Sequence, residues 1–342
     1  MELISITYIS ICSCYFLIIL GLIVGNFRIK NFKGNSFEVM NSFSVIIPFR
    51  NEEKYLPELL KSILKLDFPK KSFELLFVDD DSTDNSVAII HNYLKNSNLN
   101  YQILANKRRS KSPKKDALET AILKSKFDYI VTTDADCILP KLWLSEYDCF
   151  LQKGNSSLIA APIQLIYNNS FIQKLQALEI LSLQTATIGG FGWKFPFLAN
   201  GGNLCFKKSD FKDVKGFDGN NNIASGDDIF LLEKFLLHKK KVSFLKSDQS
   251  IVKTHPELNW EKVISQRVRW ASKSKNYRLK RAKIIGLIVF LMNAALVLGF
   301  PFVISEFLEI KTYMLFVGSK LGMDFLSMIV QLKREKKINL FL

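Results

Sequence analysis

Three groups of carboxylates in this chain are packed too tightly to be read as scattered surface charge. Asp79-Asp80-Asp81-Ser82-Thr83-Asp84 places four carboxylates within six residues. Like charges at that spacing repel unless hydrogen bonds or cations offset them. The run therefore reads as a ligand contact, although Ser82 or Thr83 would also suit a helix N-cap. Asp134-Ala135-Asp136 offers two carboxylates two residues apart, oxygen ligands of the kind Mg2+ or Mn2+ takes and shares with substrate phosphates. Such an ion would offset the charge on a departing diphosphate. Asp227 and Asp228 open an apolar run after Gly226, where negative charge favours the helix dipole. A carboxylate at a helix start beside a crevice is also suited to take the proton of an attacking hydroxyl.

Two cationic features accompany them. Lys114 lies between the first two acidic groups in sequence, in a basic turn that reads equally as solvated surface or as a phosphate or ribose contact. Gln266, Arg269 and Trp270 are spaced i, i+3 and i+4, so on a helix they share one side. Two readings of that helix stay open. It is either a basic amphipathic helix on a membrane surface with Trp270 as anchor, or a diphosphate contact through the planar fork of Arg269.

A scaffold must bring these groups together. Short apolar runs at 43–49, 73–79, 101–104, 129–133 and 158–166 alternate with amphipathic segments at 52–66, 84–95, 114–126, 142–152, 171–187 and 227–238. That alternation predicts βα units on a mostly parallel sheet. In such sheets ligands bind outside the carboxyl ends of the strands. Three of the expected strand ends carry polar clusters: Pro48, Arg50, Asn51 and Glu52; then Asp79 to Asp81; then Asp134 and Asp136.

Outside this region the 342 residues hold three apolar runs, at 3–24, 284–304 and 312–332, each near the roughly 20 residues that cross a bilayer. The first lacks a preceding basic stretch and a following small-residue cleavage site, which sets it apart from a signal peptide. Arg28, Lys30 and Lys33, then Arg278, Lys280, Arg281 and Lys283, then Lys333, Arg334, Lys336 and Lys337 all flank the runs on one side if each run spans. The positive-inside rule makes that side cytoplasmic. The net charge of +15 is then read as headgroup attraction and not as a nucleic-acid footprint. Five scattered cysteines fit a reducing compartment better than a disulfide framework. Lys320 and Asp324 form an i, i+4 pair inside the third run, where they are expected to neutralise each other or face protein.

Taken in order, Ser44-Val-Ile-Ile-Pro-Phe-Arg-Asn-Glu-Glu53, Val78-Asp-Asp-Asp-Ser-Thr-Asp84, Asp134-Ala-Asp136, Gly226-Asp-Asp228 and Gln266-Arg-Val-Arg-Trp270 resemble the motifs of family 2 inverting glycosyltransferases, in particular the membrane-bound branch. The resemblance covers nearly the whole chain. It implies a GT-A-type, Rossmann-like mixed α/β sheet domain with one N-terminal and two C-terminal transmembrane helices. It also implies that Pro48, Arg50, Asn51, Glu52, Asp79 and Asp80 contact the nucleoside and that Asp136, with Asp134, serves the metal. By the same resemblance Asp228 is the base beside Asp227, and Gly201, Gly202 and Asn203 form a loop beneath the sugar. Arg269 approaches the diphosphate and Trp270 the acceptor end of the site, with Gln266 in the same signature. Asp81, Pro113 and Asp227 depart from the family pattern, which usually has Gly or Asn, Gly and Glu at those places.

The expected organisation is a span at 1–25, a basic linker at 26–42 and a catalytic domain at 43–256. An interface helix follows at 257–283, then spans at 284–304 and 312–332 and a basic tail at 333–342. The expected partners are a nucleotide-diphosphate sugar, a lipid-linked or membrane glycan acceptor and the bilayer of the cell membrane, without nucleic acid. A polyprenyl-phosphate sugar synthase, a polysaccharide synthase and a silent nucleotide-binding scaffold are the alternatives. The apolar stretch 171–197 is expected either to touch the headgroup layer or to pack as ordinary core.

Overall fold

The computed structural model describes residues 2–34, 38–168 and 170–335, with backbone alone at 2, 3 and 333–335. Most of the expected basic tail therefore lies outside the described residues. In chain order the elements are α1 (Glu2–Arg28), β1 (Phe43–Phe49), α2 (Leu56–Ile63), β2 (Phe73–Asp79), α3 (Ser86–Leu94), β3 (Tyr101–Ala105), α4 (Pro113–Lys124), β4 (Tyr129–Thr132), β5 (Cys137–Ile138) and α5 (Trp143–Lys153). There follow β6 (Leu158–Ala160), β7 (Ile163–Leu165), α6 (Phe171–Gly192), β8 (Leu204–Lys207), α7 (Lys208–Asp213), α8 (Asp227–Leu237), β9 (Val242–Phe244), β10 (Val252–Thr254), α9 (Trp260–Ser272), α10 (Lys280–Ile304) and α11 (Ile310–Glu335). They divide into two units: the described parts of 1–29, 178–197 and 274–342, and those of 30–177 and 198–273.

The second unit carries a seven-stranded sheet in the order β3-β2-β1-β4-β8-β6-β9. β1 pairs in parallel with β2 and with β4, whereas β8 runs antiparallel to both its neighbours, so the sheet is mixed. β1 and β2 are buried along nearly their whole length, which is why they read as continuous apolar runs and not as alternating ones. Phe43, Val45, Ile47, Leu75 and Phe77 meet Leu56, Leu59, Leu60 and Trp143 in the core.

The strand expected over 158–166 is two strands in two sheets. Pro162 has no N–H for a ladder, and its carbonyl accepts from Val252 N and Asn203 Nδ2 instead. β6 stays in the large sheet while β7 joins β10 and β5 in a three-stranded one.

The first unit holds three helices long and apolar enough to cross a membrane, at Ile4–Arg28, Lys280–Ile304 and Ile310–Leu332. α6 starts in the other unit, and its part from Leu178 onward belongs to this one. There Trp193 Nε1 donates to Gly21 O at 2.7 Å, and the Arg28 guanidinium lies 3.9 Å from the Trp193 ring centre. Thr185 Oγ1 donates to Ser327 O at 2.7 Å. Asp324 accepts from both Tyr15 and Lys320, so α1 and α11 share a half-buried polar contact. Inside an apolar bundle such groups need one another.

Candidate functional site

Because β1, β2 and β4 are parallel, their carboxyl ends emerge together, and the loops after them carry the acidic groups. The loops after β1 and β2 are stitched to each other. Asn51 Oδ1 accepts from Thr83 N at 2.8 Å, Ser82 Oγ from Asn51 N at 3.1 Å, Ser86 Oγ from Glu52 N at 2.9 Å and Asp84 Oδ2 from Glu53 N at 3.0 Å. Asp79 accepts from Ser82 N, and Asp84 Oδ1 from Ser86 N at the start of α3. Much of the acidic run is thus spent on turn and cap geometry.

Asp80 is buried and clamped. Its carboxylate accepts from Arg108 Nε at 2.6 Å, Arg108 Nη2 at 2.9 Å and Asn106 Nδ2 at 2.7 Å, with Arg50 3.9 Å away. Burial opposes its ionisation, but the Arg108 and Asn106 hydrogen bonds outweigh burial and lower its pKa. Arg108 and Asn106 carry no motif of their own in the sequence and were not among the expected site residues. Pro48 is half-buried, whereas Arg50, Asn51 and Asp81 are exposed.

The second corner is Asp134 and Asp136, whose oxygens lie with Cys137 Sγ within 4.8 Å of one another. Thr254 Oγ1 donates to Asp136 Oδ2 at 3.0 Å. Burial, and then the nearby Asp136 and Asp134, push the Cys137 thiol up, so it stays protonated and offers a poor donor beside two carboxylates. Burial and then Asp134 raise the pKa of Asp136. Glu52 is pushed up to about 7 by burial, then by Asp136, Asp134, Asp84 and Glu257. Carboxylates crowded so that Asp134 raises Asp136, and both raise Glu52, fit a hard divalent ion, which would relieve their repulsion with oxygen ligands.

Lys114 ties this corner to the third. Its Nζ lies 2.6 Å from Asp134 Oδ1 and 3.3 Å from Asp227 Oδ2. Burial opposes its charge, but Asp134 and Asp227 outweigh that and hold its pKa well above the usual lysine range. Burial opposes the ionisation of Asp227, but Lys114 and Lys273 outweigh it and lower its pKa. Asp228 differs: burial raises its pKa, Lys273 opposes that and Asp227 adds to it, with a net upward shift. Its Oδ2 accepts from Gly201 N at 3.2 Å and its Oδ1 from Ile229 N at 2.7 Å. The α8 start is set by Gly226 at φ +84, a left-handed conformation that suits glycine.

The loop 201–203 passes close to these groups. A methyl on Gly201 would stand 2.6 Å from Asp227 Oδ2 and 3.4 Å from Lys114 Nζ, and one on Gly202 would stand 3.1 Å from Asp134 Oδ2. Asn203 is fully buried. Its Oδ1 accepts from Trp143 Nε1 and Tyr147 OH, and its Nδ2 donates to Pro162 O and Ser250 O. With the amide committed to four protein partners, Asn203 holds the loop and has nothing left for a ligand. Asn203→Ala should therefore destabilise the protein by about 3 kcal/mol, the scale of leaving several buried polar groups unpaired. A thermal melt read beside nucleotide affinity checks this: a large fall in Tm with affinity kept in the folded fraction is the expected outcome.

On α9, Gln266 Nε2 donates to Glu257 Oε1 at 3.3 Å, and Arg267 both bonds Gln266 and stacks 4.4 Å over the Trp270 ring. Arg269 is exposed. The structure thus joins Lys114, Asp134, Asp227, Asp228 and Gly201 in one network, and Gln266, Arg267 and Trp270 in another.

The sequence model described as "Glycosyl transferase family 2" matches residues 44–211, and that described as "Glycosyl transferase family group 2" matches residues 129–326. The chain is 36% identical over 121 residues to the Staphylococcus aureus poly(ribitol-phosphate) beta-N-acetylglucosaminyltransferase TarS, covering 35% of this chain and 20% of that protein. It is 26% identical over 192 residues to the poly-beta-1,6-N-acetyl-D-glucosamine synthase of Staphylococcus epidermidis, covering 52% of this chain and 42% of that one. It thus spans a fifth of the first relative and less than half of the second. The solved mannosyltransferase PcManGT of Pyrobaculum calidifontis, in complex with GDP-Man and Mn2+, superposes with a TM-score of 0.62 at 16% identity, over 97% of this chain and 98% of that one. The fold is therefore of the GT-A type.

Proposed function

The chain belongs to the family 2 group of glycosyl transferases, and on that premise we propose that it transfers a sugar, with inversion, from a nucleotide-diphosphate sugar to a hydroxyl of a lipid-linked or membrane-presented glycan. The observation that carries this reading is the Lys114 bridge, which joins the Asp134–Asp136 corner to the Asp227–Asp228 helix start beside the 201–202 loop. The names of the relatives, a poly(ribitol-phosphate) beta-N-acetylglucosaminyltransferase and a poly-beta-1,6-N-acetyl-D-glucosamine synthase, support sugar transfer onto a polymeric acceptor.

In this reading the acceptor oxygen attacks the anomeric carbon, the bond to the diphosphate oxygen breaks with its electron pair, and the hydroxyl proton passes to Asp228. Its raised pKa suits that task, since a base works best when its pKa approaches the working pH. The N–H groups of Gly201 and Ile229 hold its carboxylate in place. Pro48, Arg50, Asn51, Glu52 and Asp79 line the nucleoside side, with Asp80 acting through its Arg108 clamp. Gly201 and Gly202 lie under the sugar. Arg269 and Lys114 meet the diphosphate, with Gln266 and Trp270 toward the acceptor. Asp136 and Asp134 would hold Mg2+ or Mn2+, a role the Mn2+ in the mannosyltransferase supports, and the bound ion supplies positive charge for the leaving diphosphate.

The three apolar helices and their basic flanks support a multi-pass protein of the cell membrane with its sheet unit in the cytoplasm. Cysteines introduced at exposed Lys95 and at exposed Glu306, between α10 and α11, test this with an impermeant maleimide on intact cells. Labelling at 306 with protection at 95 is expected, and the reverse pattern overturns the orientation. Transfer itself is tested in lipid nanodiscs with a panel of nucleotide sugars and lipid extract. Release of nucleoside diphosphate that needs divalent metal and rises with the extract is expected; full activity on a soluble sugar, with no gain from lipid, contradicts the membrane acceptor.

A further inference from the structure

Lys273 follows the Gln266–Trp270 signature and belongs to none of the sequence motifs, yet it is buried and faces the α8 start. Its Nζ stands 3.9 Å from Asp228 Oδ1, with both side chains largely withdrawn from water. The alkyl stem runs past Gly226, where an added methyl would meet Lys273 Cδ at 3.2 Å. Lys273 caps the end of α9, the helix that carries Gln266, Arg269 and Trp270.

We propose that Lys273 is a positioning residue that keeps Asp228 ionised between turnovers and ties the α9 helix to the base. This rests on the reading of Asp228 as the general base. The separation is the argument. At 3.9 Å the ammonium favours the carboxylate electrostatically, but it is beyond hydrogen-bond range and leaves Asp228 lone pairs open to an incoming proton. Lys114, by contrast, grips Asp134 and approaches Asp227 directly. The charged groups around Asp228 are Asp227 on its own helix, Lys114 and Lys115 from α4, and Lys273 from the α9 end. Lys115 is committed to Asn220 O and Ile223 O. Lys273 is thus the cation in this set with neither a direct carboxylate grip nor a loop carbonyl among these contacts, and the one contributed by the Gln266–Trp270 helix.

The sign follows from charge. Removing a cation near a carboxylate raises the carboxylate's pKa, so fewer molecules hold the base ionised at low pH. In Lys273→Met the acid limb of the kcat/KM pH profile should move up by about one unit, the low end for an opposite charge at this distance. The deficit should be near tenfold on the acid side and shrink as pH rises. Lys273→Arg keeps the charge and should restore most of the limb. Glu52 and Asp136 also titrate, but they are common to all three proteins and cancel in the comparison. Nucleotide-sugar affinity and the melting temperature, measured alongside, show that each variant is folded.

A Lys273→Met profile lowered equally at every pH, or one that Lys273→Arg fails to rescue while folded and binding nucleotide sugar, overturns the proposal. If instead Asp228→Asn keeps its turnover, the base itself lies elsewhere. The two failures are therefore told apart by separate variants.

Discussion

Asp228→Asn should lower turnover by roughly 100-fold or more while nucleotide-sugar affinity stays within about twofold, because general base catalysis contributes on that scale and the substitution preserves size. The amide oxygen can still accept from Gly201 N or Ile229 N, so the 201–203 loop and the α8 start should keep their places. What is lost is an oxygen able to take a proton. Measuring affinity and turnover on the same preparations separates this from a folding defect. Near-normal turnover would move the base elsewhere, with Asp227 the next residue to substitute, although its low pKa and its Lys114 contact suit it less.

Asp136→Asn should act on binding. Asp136 and Asp134 are the paired oxygen donors of their corner, and a hard cation loses much when a charged oxygen becomes neutral. The metal-dependent part of nucleotide affinity should fall at least tenfold and need higher Mn2+ or Mg2+ to recover, while affinity measured in chelator should change little. Burial is the largest cause of the Glu52 shift and Asp136 the next, so the substitution should bring the Glu52 pKa somewhat below about 7 while burial keeps it raised. An unchanged metal requirement in this variant would place the ion on other ligands.

These experiments concern residues that sequence spacing had marked, and the reason they were legible is physical. β1 and β2 are parallel strands buried along nearly their whole length, composed mostly of Phe, Val, Ile and Leu, and their observed bounds coincide with the expected runs. Polar residues directly after such runs have to lie at the strand ends. The apolar helices were legible because bilayer length and lack of charge are properties of composition.

What escaped has equally concrete causes. β8, β9 and β10 have three or four residues each and are too short to show a period. β8 also enters the sheet antiparallel, which a βα pattern does not announce. The single strand expected at 158–166 ignored what Pro162 does to a ladder. Arg108, Asn106, Thr254 and Lys273 reach the site from a loop, a strand end and a helix end that are distant in sequence from the groups they touch. Asn203 was expected to face a ligand, and only its four buried partners show where its amide is spent. Contacts of this kind are properties of the fold and leave no local trace.

The proposed reaction is a single displacement at the anomeric carbon, assisted by Asp228, onto a membrane-presented hydroxyl. Its most direct test is the anomeric configuration of the first product formed by the protein in nanodiscs from a nucleotide sugar of known configuration. NMR coupling at the anomeric proton reads the outcome. An axially linked donor sugar should appear in the product with an equatorial linkage, and the product should partition with lipid. A product of retained configuration, or free sugar with no glycosidic product, would contradict a single displacement assisted by Asp228.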